Sequence, residues 1–150
     1  MADIVDAATR SRMMSGIRGK NTKPEITVRK ALHRRGLRYR LHSASVPGKP
    51  DMVFSAARAA VFVNGCFWHG HDCKYFKLPS TRPEFWAEKI AANRTRDAFV
   101  RKSLEEQGWR YLTIWECAIR GQKTEAVAKV VAQAAKWLRS KSPRGEIRGN

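Results

Sequence analysis

Within eight residues the sequence places Cys66, His69, His71 and Cys73. Cys117 is the third and last cysteine of the chain. Three thiolates and one imidazole are the donor set of a closed, tetrahedral zinc site. The spacing Cys66-x4-His71-x-Cys73 offers His71 as the imidazole, with His69 as the alternative. Such a site needs only one, which leaves the other histidine for proton transfer near neutral pH. Three reduced, packed cysteines are the plainer reading of the same residues. Upstream, Asp51 heads an apolar run behind Pro47-Gly-Lys-Pro50, at the strand-end position where α/β sheets place functional groups. Asp51, Glu25 and Asp97 offer oxygen without sulfur, which suits Mg²⁺. Such an ion beside a basic surface is what phosphodiester hydrolysis requires, and His69 fits the general base. Phe67, Trp68 and Trp86 can project and stack on or wedge between bases; Phe85 is expected in the core.

The charge balance points the same way. Thirty Lys and Arg against thirteen Asp and Glu give +17, with +9 in residues 1–50, +2 in 51–100 and +6 in 101–150. Solubility needs far less, so a polyanion, nucleic acid foremost, is the expected partner. The longest uncharged run, Ala59 to His71, is too short to span a membrane. The first twenty residues have no apolar signal-peptide segment, so a cytoplasmic location is expected. An odd cysteine count there argues against a disulfide framework.

The elements that must hold these groups follow in order. Residues 1–21 read as a basic arm carrying Arg10, Arg12, Arg18 and Lys20, ordering on a partner. Residues 22–140 read as one domain, which this length fits comfortably. Thr22-Lys-Pro-Glu25 starts a helix that Gly36 ends. Glu25 either caps this helix or sits inward beside the acidic site. Leu37–Leu41 alternates as a half-wet strand, and Asp51–Ser55 and Ala59–Val63 are short apolar strands. Pro83 opens the longest helix, to about Gln107, with Trp86, Ile90, Asn93, Asp97, Val100 and Leu104 on its inner stripe. Two polar residues in that stripe need partners. Arg110–Trp115 is a strand and Lys123–Leu138 an amphipathic helix. Residues 141–150 read as a flexible basic tail. The sum is an α/β fold, a mixed central sheet flanked by helices with a metal-stapled loop.

Several runs of residues 7–120 resemble the very short patch repair (Vsr) endonuclease family. They are ATRSRMMSGIRGKNTKPE, PGKPD, VFVNGCFWHGHDC, TRPEFWAEKI, Arg96-Asp97 and Trp115-Glu-Cys117. The resemblance implies a type II restriction endonuclease-like core. It implies nicking of one strand 5′ of the T in a T:G mismatch left by deamination of 5-methylcytosine. Asp51 and the carbonyl of Val63 would hold Mg²⁺, with Glu25 reaching it through water. His69 would be the general base, with Asp97 as its partner. Cys66, His71, Cys73 and Cys117 would hold Zn²⁺, and Phe67, Trp68 and Trp86 would wedge the duplex open. The implied partners are mismatched double-stranded DNA and other mismatch-repair proteins; a monomer suffices for one nick. The chain departs from the family motif at Val63 and Asn64, where Thr and His are familiar. Asn64 cannot pass a proton as histidine does, though it can orient a metal-bound water. Two other readings remain: a zinc-stabilised DNA-binding module without catalysis, and a nuclease for intact or branched DNA.

Overall fold

A computed structural model describes residues 22–149, so the arm with Arg10, Arg12, Arg18 and Lys20 lies outside the described residues. Helix α1 spans Lys23–Arg34 and starts as its sequence requires. The Thr22 hydroxyl accepts the Glu25 N–H at 3.4 Å, and Pro24 occupies the first turn, where no N–H is needed. Val28 and Leu32 are fully buried on the face that also carries Glu25.

Strand β1 is only Arg40–Leu41, shorter than the alternation over Leu37–Leu41 predicts. Its partner β2, Met52–Phe54, has three residues. Leu37 and Tyr39 still pack on the core, and the Tyr39 hydroxyl donates to the Arg29 carbonyl at 2.8 Å. Strand β3, Ala59–Asn64, closes an antiparallel hairpin with β2. Helix α2, Pro83–Glu106, then crosses to β4, Arg110–Trp115, which runs parallel to β3. A 3₁₀ turn at Glu116–Ala118 leads to helix α3, Thr124–Arg139, and to β5, Arg144–Ile147, parallel to β4. The sheet order is β1-β2-β3-β4-β5. The mixed sheet flanked by helices is as the sequence leads one to expect. Among the described residues no helix is long and apolar enough to cross a membrane.

The period-two alternation of the strands sorts the core into two layers. Met52, Phe54, Val61, Leu112 and Ile114 face α1 and α3, meeting Leu32, Val131 and Leu138. Val53, Ala60 and Tyr111 face the other way, with Leu104 and Val100 of α2. That second layer stops short of the carboxyl ends of β3 and β4. The space left there is the cleft.

Two expectations are corrected. The expected flexible tail, residues 141–150, instead holds β5, which completes the sheet. Arg110 explains much of this. Its guanidinium donates to the carbonyls of Ala57, Trp137, Leu138 and Ser142 at 3.2, 2.8, 3.3 and 2.9 Å. It thereby ties the β2–β3 turn to the end of α3 and the approach to β5. Composition read the segment as basic and frayed, but its carbonyls are acceptors for a residue thirty positions away. Phe85, expected in the core, is 40% exposed and lies under the Arg82 guanidinium. The bend before α2 turns it outward. Arg110→Ala is expected to cost about 2–3 kcal/mol in urea unfolding. The β5 amides should exchange hydrogen faster as well.

Candidate active site and metal centre

The loop after β3 has no helix or strand of its own, and short turns fold it back on the sheet. His71 N–H donates to the Cys66 carbonyl at 2.9 Å, and Gly70 N–H to Phe67 at 3.2 Å. Gly70 has φ +60, and a Cβ there would lie 2.8 Å from Ile90 of α2. Only glycine lets the loop approach the helix so closely.

One side of this loop carries the sulfur cluster. The donor atoms of Cys66, His71, Cys73 and Cys117 lie within 4.8 Å of one another. Cys66, His71 and Cys117 are buried. His71 Nδ1 is 3.6 Å from Cys117 Sγ, and its ring stacks on Trp115 at 3.9 Å. Burial, then the neighbouring thiols, push the Cys66 thiol well up. Burial, then Arg148, hold the His71 imidazolium down, which favours the neutral ring. Neutral imidazole and crowded sulfurs are what a divalent cation uses, and the donor set fits a metal. His69 lies outside this cluster. Two supporting groups escaped the sequence reading. Glu116 Oε1 accepts the Cys66 N–H at 3.1 Å, and the Gly149 N–H donates to Cys117 Sγ at 3.3 Å.

The other side faces a cleft of about 1010 Å³. Asp51, Glu25, Val63, Asn64, His69 and Asp97 line it together with Phe67, Trp68 and Trp86. The cleft thus gathers every catalytic candidate that the sequence singled out. Asp51 precedes β2, and its Oδ2 accepts the Val63 N–H at 2.5 Å. Burial, and to a smaller degree the neighbouring Glu25 carboxylate, push Asp51 up to about 7 against the pull of that hydrogen bond. A carboxylate so placed competes for a cation or a proton. Glu25 is 1% exposed, as its inward reading requires, and its Oε2 meets Arg29 and His42. His69 Nδ1 donates to Asp97 Oδ2 at 2.5 Å, which leaves Nε2 as the basic nitrogen. Asn93 Nδ2 donates to the Trp68 carbonyl at 2.9 Å. The two polar residues of the α2 stripe therefore both hold the loop.

The three rings form one cluster, with centroids 5.2 Å apart for Phe67–Trp68, 5.5 Å for Phe67–Trp86 and 5.7 Å for Trp68–Trp86. Trp68 is 8% exposed and does not project as its loop position suggested. Phe67 and Trp86 are half-buried and form the reachable edge.

The sequence reading missed His42. Its Nε2 lies 2.7 Å from Glu25 Oε2. Apolar alternation ended at Leu41 and gave no reason to look one residue further. The signal was the hairpin register: Leu41 pairs with Met52, so the next residue out falls opposite Asp51.

A family model described as DNA mismatch endonuclease Vsr matches residues 2–75. The chain is 43% identical over 138 residues to the DNA mismatch endonuclease Vsr of Escherichia coli strain K12, covering 92% of this chain and 88% of that protein. The chain belongs to the Vsr family of DNA mismatch endonucleases. It is also 44% identical to the type II nicking enzyme V.XorIIP of Xanthomonas oryzae pv. oryzae, covering 79% of this chain and 88% of the relative. A third Vsr-like relative, the type II nicking enzyme V.NmeAIP of Neisseria meningitidis, is 41% identical over 81% of this chain and 87% of its own length. The chain is thus an endonuclease of this family.

Protein purified without chelator is expected to carry one thiolate-bound divalent ion per chain. Replacement by Co²⁺ should produce a sulfur-to-metal charge-transfer band in the near ultraviolet. Cys73→Ser should weaken the band, and stripping the ion should lower the thermal midpoint. A colourless Co²⁺ product would reject the cluster as a metal site.

Proposed function

We propose that this protein nicks one strand of double-stranded DNA on the 5′ side of the T in a T:G mismatch and so starts very short patch repair. The observation that carries the reading is one cleft holding Asp51, Glu25 and the His69–Asp97 pair beside Phe67 and Trp86. Hydrolytic groups and a base-sized aromatic edge share one wall.

Mg²⁺ held at Asp51 and the Val63 carbonyl would lower the pKa of a bound water and offset charge on the phosphate. The residues do the rest. Asp97 would fix the His69 ring with its proton on Nδ1, which leaves Nε2 to take a proton from water. The resulting imidazolium is stabilised by the same carboxylate. Glu25 lies close enough to Asp51 for the two acids to share an ion. Asn64 has an amide in place of an imidazole, so it orients rather than transfers.

Phe67 and Trp86, backed by the buried Trp68, would insert beside the mispair. A mismatch is cheaper to open than a matched pair, which makes the wedge selective. Zn²⁺ in the Cys66, His71, Cys73 and Cys117 cluster would hold the loop that carries both wedge and base. The net charge of +17, to which Arg10, Arg12, Arg18 and Lys20 of the arm contribute, would grip phosphates. The protein would work as a cytoplasmic monomer on chromosomal DNA, with mismatch-repair proteins as helpers.

Otherwise identical T:G and T:A duplexes provide the test. Cutting is expected only in the T:G duplex, only with a divalent ion, and more weakly as salt rises. Asp51→Ala should reduce cutting at least about a thousandfold while leaving DNA binding in a gel-shift assay largely intact. His69→Ala should cost roughly a hundred- to ten-thousandfold. Binding without turnover in every methylation context would instead support a DNA-binding module. Equal cutting of both duplexes would support a nuclease for intact DNA.

A further inference from the structure

His42 is not used by any step above, yet its imidazole lies against Glu25, one of the acids that line the cleft. It follows β1 with φ 47, a left-handed backbone that non-glycine residues seldom adopt. Its N–H donates to the Asp51 carbonyl at 3.4 Å, which fixes it at the rim of the hairpin. The imidazole is mostly buried, with 14% of its side chain exposed. One donor atom from each of Glu25, His42 and Asp51 lies within 4.8 Å of the other two.

Two roles fit a histidine here. It either orients Glu25 or shares an ion with it. Glu25 already has a cation, since Arg29 Nη1 reaches its Oε2 at 2.9 Å. His42 is therefore not required as the counter-charge of that acid. Its Nε2 sits 2.7 Å from the same oxygen. Neighbouring donors around one octahedral ion lie about 3 Å apart when each bond is near 2.1 Å. The spacing suits two ligands of one ion as well as it suits a hydrogen bond. Two carboxylates and an imidazole, all within reach of one point, make a nitrogen–oxygen donor set. Mg²⁺ takes oxygen almost alone, whereas Mn²⁺ and the later first-row ions accept imidazole.

We infer that His42 is a nitrogen ligand to the divalent ion shared by Asp51 and Glu25, and that this nitrogen makes the site bind Mn²⁺ more tightly than Mg²⁺. The inference rests on the reading that Asp51 holds the catalytic ion. It adds a ligand and a metal preference to that reading.

The test uses the full chain with its thiolate cluster already metal-loaded. Mn²⁺ is titrated and followed by electron paramagnetic resonance, and Mg²⁺ affinity is measured by competition. The bound Mn²⁺ is expected to show nitrogen-14 coupling from a directly bound imidazole. His42→Gln should remove the coupling and weaken Mn²⁺ by about ten- to a hundredfold. It should weaken Mg²⁺ by a clearly smaller factor. His42→Asn is the second variant, and circular dichroism confirms that either one is folded. Coupling absent from the unsubstituted protein, or surviving in both variants, overturns the inference. Equal weakening of both ions also overturns it, because that is what loss of a Glu25-orienting group would do. Asp51→Asn separates the two levels. If Mn²⁺ binding depends on Asp51 but shows no nitrogen coupling, only the role of His42 fails. If no Mn²⁺ binding depends on Asp51, the metal reading of the cleft fails with it.

Discussion

The loop after β3 depends on the convergence of three sulfurs and an imidazole behind it. Cys66, His71 and Cys73 come from the loop, and Cys117 comes from the turn after β4. Without that link the loop would rest on turns and on the edge of α2. With it, residues that must be placed to within a fraction of an ångström ride on a short, braced segment. His69 lies between Cys66 and His71, so the same brace that aims the thiols sets the height of the imidazole above Asp97. Trp115, stacked on His71, extends the brace into β4.

Charge organises the opposite wall. The chain carries a large positive excess, yet it buries Glu25 and half-buries Asp51 side by side. Burying two acids together is unfavourable unless something positive answers them. Arg29 supplies the charge for Glu25, His42 adds a ring-nitrogen contact to it, and the Val63 N–H answers Asp51. Asp51 is left with a strong appetite for a cation or a proton, even though the surface around it is basic. A polyanion drawn to that surface meets, at the bottom of the cleft, this pair of acids.

Much of this was readable from residue order. Periodicity located α1, α2, β3, β4 and α3, because their apolar residues repeat at the spacing of the faces they bury. The three sulfurs of the cluster followed from chemical type, whereas residue type alone left His69 and His71 both open as the imidazole beside them. The polar pair Asn93 and Asp97 stood out because an apolar stripe had no other reason to carry them. What escaped depends on partners far along the chain. The order of β5 comes from Arg110, the exposure of Phe85 from a bend at Arg82, and the position of His42 from a hairpin register. Periodicity within one segment reports on that segment's own face and is blind to what another segment brings to it.

The parallel pairing of β3 with β4 has a consequence for how the molecule comes into being. The two strands are separated by the whole of α2, so their contact closes a long stretch of chain and forms slowly compared with local helices and hairpins. Three donors of the cluster are near neighbours in sequence, but Cys117 arrives only when β4 docks. Until then the cluster lacks its fourth donor. A chain in which β4 has not yet docked therefore lacks the tie between the loop and the sheet.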